Sequence, residues 1–216
     1  MDSLWTEQRS TMLEQHLRRR GINDERVLDA MARIPREEFV DPDIRHASYS
    51  DNALEIGFGQ TISQPFMTAF MAQCLRLTGT ERVLDVGTGS GYHAALLGLL
   101  SASVFSIELV PELAAAARVT LQRTGMGGNV TVLDGDGSLG LPEHAPFDAI
   151  SVAAGAPGVP SALLEQLQDP GKLVIPVGPK DDQDLQLITK VGGKVTYAVV
   201  SHCRFVPLYG HQGWKS

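Results

Sequence analysis

The sequence predicts an α/β fold, with a mostly parallel central sheet that ends in an antiparallel hairpin. Three observations carry this. Short apolar runs at 82–86, 104–108, 130–133, 147–153 and 173–177 alternate with helix-like segments at 91–100, 111–124 and 160–168; strands apolar throughout need cover on both faces, which alternating helices supply. Gly87, Gly89 and Gly91 mark the turn from the first run into the first of those helices, where a sharply bent backbone favours residues without a Cβ. Near the C-terminus, 184–191 and 194–206 flank Gly192-Gly193, a dipeptide suited to the positive φ angles of a tight hairpin turn.

Length and composition narrow the classes. A chain of 216 residues, 43% apolar and 20% charged, is predicted to form one domain spanning 1–216. Its 22 Gly, 12 Pro and 6% aromatics are ordinary for a globular protein and exclude collagen-like or disordered chains. A net charge of −7 repels phosphate backbones, so no nucleic-acid partner is expected. No apolar run is long enough to span a bilayer, and Met1-Asp2-Ser3 does not open a basic-then-apolar leader, so no membrane partner and a cytoplasmic address are the expectations. Cys74 and Cys203 are too few for a disulfide framework and lack metal-ligand spacing, which predicts two free thiols.

The elements follow in order. Leu4, Trp5, Met12, Leu13 and Leu17 recur at helical spacing over 4–20, before Gly21. The cluster Arg18-Arg19-Arg20 sits in the last turn of that segment, where cations complement the carbonyl end of a helix. A second helix runs from Asp24, with Val27, Leu28, Met31 and Ile34 as its apolar stripe, and stops before Pro35. Residues 35–64 read as irregular, with turn signals at Asp41-Pro42, Ser50-Asp51-Asn52 and Gly57-Phe58-Gly59; so long a stretch is either a lid or hides elements that local signals do not show. A further helix begins at Pro65, with Ser63 or Gln64 as its cap.

The glycine loop Val83-Leu84-Asp85-Val86-Gly87-Thr88-Gly89-Ser90-Gly91 carries the first chemical signal, a backbone that a ligand can approach closely beside a helix N-terminus. Position 92, where a dinucleotide fingerprint would place its third glycine, is Tyr92, which disfavours NAD. No Gly-Lys-Ser/Thr occurs, which removes the phosphate-loop nucleotide triphosphatases. The pattern acid-x-Gly-x-Gly-x-Gly, followed by Glu108 at the end of the next strand and Asp136 in Gly135-Asp136-Gly137 after the third, resembles the S-adenosylmethionine-dependent methyltransferases and their Rossmann-like fold. That resemblance implies that Glu108 accepts the ribose hydroxyls and Asp136 meets the adenine amino group. As plain structure, the glycines would form a tight turn and the acids would be loop residues or helix caps.

The subclass follows from what is absent and from one motif. After the fourth strand the chain reads Ser151-Val152-Ala153-Ala154-Gly155-Ala156-Pro157, unlike the Asn/Asp-Pro-Pro-aromatic pattern of base amino-methylation. Neither cysteine follows a proline, as cytosine C5 chemistry needs, and Asp148 begins the strand rather than ending it, unlike a magnesium-dependent catechol enzyme. The histidines His16, His46, His93, His144, His202 and His211 share no ligand spacing and are expected to be surface or structural, with no metal. An acceptor that is already an anion would need no base.

The segment Gly59-Gln60-Thr61-Ile62-Ser63-Gln64-Pro65 resembles the hallmark of the protein-L-isoaspartate O-methyltransferases. Pro35-Arg36-Glu37-Glu38-Phe39-Val40, Ala145-Pro146-Phe147-Asp148-Ala149-Ile150, Val174-Ile175-Pro176-Val177-Gly178 and Arg204-Phe205-Val206-Pro207-Leu208 agree with the same family. The resemblance implies methyl transfer from S-adenosylmethionine to the α-carboxylate of L-isoaspartyl residues in damaged proteins. It implies Ser63 as the active-site residue and cofactor contacts at Gln60, Thr61, Ile62, Ser63, Asp85, Gly87, Gly89, Gly91, Glu108, Leu109, Asp136 and Gly137. Peptide contacts are implied at Gln64, Pro65, Phe66, Val206, Pro207 and Leu208. Residues 1–78 would supply helices and an acceptor-side lid, 79–216 the cofactor-binding core, and the working unit is expected to be a monomer that binds its acceptor as extended chain. The rival readings are an O-methyltransferase for another carboxylate or a small molecule, and a non-catalytic S-adenosylmethionine-binding module.

Overall fold

The chain opens with α1 (Asp2–Thr11), in a computed structural model that describes residues 2–215; Met1 and Ser216, the ends of the expected domain, lie outside the described residues. The predicted helix over 4–20 is not uniform. It widens to π geometry over Met12–Leu17 and tightens to a 3-10 turn over Arg18–Arg20. Met12 and Leu17 are both fully buried; five residues along a regular α-helix would set them about 140° apart, and the wider turn returns both to the core. The arginines also differ from expectation. Arg18 pairs with Glu14 and Glu25, and Arg20 pairs with Asp51 while its guanidinium lies 3.8 Å over the Phe66 ring.

α2 (Glu25–Arg33) starts where Asp24 predicts it, because the Asp24 carboxylate accepts from the Arg26 and Val27 amides. The stretch expected to be irregular holds two 3-10 turns, Arg36–Phe39 and Pro42–Ala47, and an antiparallel hairpin, β1 (Leu54–Gly57) with β2 (Gln60–Ile62). Strands of four and three residues are too short to display an alternation in sequence. α3 (Pro65–Leu75) takes Gln64 as its cap residue without a side-chain capping bond. Ser63, the other expected cap, therefore lies one residue too early to serve.

Then the alternation begins: β3 (Arg82–Val86), α4 (Tyr92–Leu100), β4 (Ser103–Glu108), α5 (Pro111–Thr124), β5 (Val130–Asp134), β6 (Phe147–Val152), α6 (Ser161–Gln166), β7 (Leu167–Val177), β8 (Gln183–Val191) and β9 (Lys194–Cys203). The strands lie in the order β5-β4-β3-β6-β7-β8-β9, parallel from β5 to β7, with β8 antiparallel to both its neighbours. From β3 the chain winds outward through β4 and β5, then returns to β3's other side with β6. Such a switch point leaves a crevice beyond the carboxyl ends of the central strands.

Two boundaries move. β7 starts at Leu167, not at 173, and α6 ends correspondingly early; Gln168-Asp169-Pro170-Gly171 reads as a turn, but the Asp169 carboxylate accepts the Gly192 and Gly193 amides and ties this strand to the hairpin loop. β9 ends at Cys203 instead of 206, and 204–208 leaves the sheet, where the Gly155 amide donates to the Val206 carbonyl and the Leu208 amide to the Gly155 carbonyl. Helices α1–α4 pack an apolar core on one face of the sheet, and α6 helps close a second on the other.

Candidate active site

The crevice beyond β3, β4 and β6 is a cavity roofed by β2. Its floor is the loop after β3. Gly87 (φ 94°) and Gly89 (φ 52°) adopt angles that side chains disfavour, and both line the cavity. Gly91 (φ 88°) does not: a Cβ there would sit 3.3 Å from Leu121 on α5, so it serves the turn and helix packing.

Glu108, at the end of β4, holds this loop open. Its Oε2 accepts the Gly89 amide at 2.8 Å and its Oε1 the Val110 amide at 3.0 Å, which orients a nearly buried carboxylate at the cavity wall. Leu109 beside it leaves 47% of its surface exposed, an apolar shelf next to an acceptor pair. Gln60, Thr61, Ile62 and Ser63 form the roof, and Gly137, Val206, Pro207 and Leu208 close the remaining sides. The structure thus gathers twelve of the residues singled out from sequence around one space.

Others stand elsewhere. Asp85 is fully buried behind the wall and accepts from the Ser106 hydroxyl at 2.7 Å. Asp136 does not line the cavity; its Oδ1 accepts the Ser138 amide and hydroxyl, and its Oδ2 accepts the His211 amide at 2.7 Å. Burial would raise that carboxyl, but those hydrogen bonds outweigh it and hold it below the usual range. Gln64 borders an adjoining cleft with Arg204 that shares Thr61, Ser63, Ala153 and Val206 with the main cavity. Pro65 is buried as the first residue of α3. Phe66 stacks on Phe70 under Arg20, outside both spaces.

Thr68, Tyr92, His93, Ala153 and Tyr209 also line the cavity, although no sequence motif marks them as site residues. Tyr92 and His93 open the helix that follows the glycine loop, a position that points at whatever the loop holds, so that signal was present. His93, expected to be surface or structural, donates to or accepts from Ser151 at 2.9 Å through Nε2, and burial pushes it down to about 4. Ser106, Asp85 and Ser151 are register partners across β4, β3 and β6. They form a buried polar row between Thr88, which meets Ser106, and His93. Within it the Asp85 Oδ1 has no partner, and burial pushes the carboxyl up to about 7.

A carboxylate facing a mostly apolar space, beside a glycine loop and a helix start, suits a ligand that joins a diol to a flat apolar ring. A family model described as protein-L-isoaspartate(D-aspartate) O-methyltransferase matches residues 7–213. The chain belongs to this family of methyltransferases. It is 54% identical over 208 residues to protein-L-isoaspartate O-methyltransferase 2 of Marinobacter nauticus, with 95% of this chain and 94% of that one covered. It is 50% identical to protein-L-isoaspartate O-methyltransferase of Koribacter versatilis, with 96% and 93% covered. Among solved structures, a protein-L-isoaspartate O-methyltransferase superposes with a TM-score of 0.83 at 30% identity, over 95% of this chain and 67% of that one. A Plasmodium falciparum structure, described as a protein-L-isoaspartate O-methyltransferase in complex with S-adenosyl-L-homocysteine, superposes with 0.79 at 28% identity, over 92% and 97%. Members of this family share the Rossmann-like architecture seen here, and among the described residues no helix is long and apolar enough to cross a membrane.

Proposed function

We propose that the protein transfers the methyl group of S-adenosylmethionine to the α-carboxylate of L-isoaspartyl residues in damaged proteins and peptides, the step that initiates their repair. The observation that carries this is the meeting of Gln60–Ser63 with the glycine loop and Glu108 around one cavity, in a chain of this family. The residues present fit the cofactor. Glu108 would accept ribose hydroxyls on lone pairs that Gly89 and Val110 leave free, Leu109 and Ile107 would flank the adenine, and Gly87 and Gly89 leave the backbone bare. When bound, the cofactor supplies a methyl group on a positively charged sulfur, open to displacement by a nucleophile.

The chain's own residues then bind, orient and exclude water. An α-carboxylate has a pKa of about 3.5 and is ionised at pH 7, so it needs no proton removed. His93, neutral near pH 7 and engaged with Ser151, is not called on as a base. Ser63 would donate a hydrogen bond that fixes the acceptor, and the roof strand β2 with Val206–Leu208 would keep water out. The adjoining cleft beside Gln64 and Arg204 is where the flanking peptide would run, bound as extended chain through main-chain groups, since damage arises in many sequences.

In this reading residues 1–78 build the acceptor side and 79–216 the cofactor side of one monomeric domain. Its free thiols Cys74 and Cys203 suit the cytoplasm. A small-molecule acceptor or a purely binding role has no such support. The test is labelled methyl transfer to an isoaspartyl peptide and to its aspartyl twin. The two place the carboxylate differently by one backbone methylene, and a misplacement of about 1 Å costs on the order of 100-fold. Methylation of the isoaspartyl peptide alone is expected, and equal turnover of both would overturn the assignment.

A further inference from the structure

Behind the roof of the cavity lies a guanidinium that neither the cofactor nor the acceptor site accounts for. Arg36 is 0% exposed. Its Nε donates to the Ser48 carbonyl and its Nη2 to the Ser63 carbonyl, both at 2.7 Å. Its carbon lies 4.6 Å from the centre of the Tyr92 ring, and Tyr92 lines the cavity. No carboxylate lies within ion-pair distance of Arg36 among the described residues, and its Nη1 is buried without a partner. Burying a cation with no carboxylate paired to it is costly, even with the charge of Asp51 farther off, and a neutral side chain would fill the same space without that cost.

Two properties of this particular side chain explain what the cost secures. The guanidinium is a rigid planar fork, so a single group clasps two carbonyls that lie far apart in sequence and fixes one against the other. The Ser63 carbonyl belongs to the planar peptide between Ser63 and Gln64; holding it sets the ψ angle of Ser63, and with it the direction in which the side chain leaves the backbone. The far side of the same loop is held as well. Asp51 accepts the Phe66 amide and the Gln64 side-chain amide, each at 3.2 Å, and is itself paired with Arg20. Ser63 is therefore braced from both directions, and on its own carbonyl the brace is Arg36.

We propose that Arg36 is a positioning residue for the methyl transfer, acting through the Ser63 carbonyl to aim the Ser63 side chain at the acceptor carboxylate. This rests on the methyl-transfer reading above. The test compares the parent with Arg36→Lys, which keeps the charge but loses the fork, and Arg36→Met, which loses both. Calorimetry with S-adenosylhomocysteine gives the competent fraction and the cofactor Kd, and turnover of an isoaspartyl peptide is then expressed per competent site. The expected result is a kcat about 10- to 100-fold lower in both variants, with the cofactor Kd within about threefold of the parent. If Arg36→Met does not fold, Arg36→Lys decides alone. An unchanged kcat per competent site, or a cofactor affinity that falls in step with kcat, would overturn the proposal and leave Arg36 a packing residue. A parent inactive on the isoaspartyl peptide would instead overturn the methyl-transfer reading, before any variant is compared.

Discussion

Glu108 serves two purposes with one carboxylate, since the oxygens that face the cavity also hold the Gly89 and Val110 amides. Removing it takes away charged hydrogen bonds worth about 1.5 to 3 kcal/mol. Glu108→Ala is therefore expected to weaken S-adenosylhomocysteine binding roughly 10- to 150-fold in calorimetry, with the fold kept. Ser63→Ala should show the opposite split, a similar fall in peptide turnover with cofactor affinity affected less. The polar row under the cavity makes a third expectation. His93, pushed down to about 4 in the fold, would take up a proton near pH 6.5 once unfolded. Its share of stability is complete above about 6.5 and is lost as pH falls through about 4. Asp85, pushed up to about 7, runs the other way: its share is complete below about 3.9 and is lost as pH rises through about 7. The two trends oppose each other between pH 4 and 6.5. Compared with the parent by urea unfolding, Asp85→Asn should gain stability more steeply as pH rises through that window. His93→Gln should lose it, each by at most about 1.4 kcal/mol per pH unit. Parallel pH curves for all three proteins would show that neither group changes protonation on folding.

The element with the least visible sequence signal is the β1–β2 hairpin over the cavity. Its loop is the pair Phe58-Gly59, with φ angles of 54° and 68° between the paired Gly57 and Gln60, the geometry of a type I′ turn. Gly59 adopts this freely, but Phe58 is an aromatic residue in the left-handed region with 60% of its surface exposed, a conformation that costs about 1 kcal/mol. Phe58→Asn supplies the residue such turns favour and should stabilise the fold by about 0.5 to 1 kcal/mol, read as a higher urea midpoint. A loss of stability would mean that the exposed ring packs on the lid in solution. The same logic explains what was hidden at β7. Gln168-Asp169-Pro170-Gly171 has turn composition, and it joins the sheet because Asp169 captures the amides of Gly192 and Gly193, a bond to a distant loop that no local pattern encodes. By contrast α5, with Pro111 at its first position and Gly125 as its cap, begins and ends where its own residues dictate.

At the scale of the whole molecule, the sheet order brings the ends of β3 and β4 to one crevice and the N-terminal third of the chain across it. With the acceptor already ionised and His93 neutral, the single-turnover rate of methyl transfer is expected to be nearly flat from about pH 6 to 8. A steep limb near neutrality that one histidine-to-glutamine change removes would show that a general base operates. The α/β alternation, the glycine loop and the acid that ends β4 are all legible along the chain. Those features are written in near neighbours: periodicity sets helix or strand, and bare glycines mark the backbone that must turn. The roof residues Gln60–Ser63 were legible as well, but through likeness to a family and not through any local pattern. Folding alone places Asp85 behind the wall, engages Asp136 with the C-terminal segment, turns His93 to the cavity and sets Arg36 on the loop bearing Ser63. Burial and hydrogen-bond partners come from residues distant along the chain, and those distances are set when the sheet and its helices close on one another.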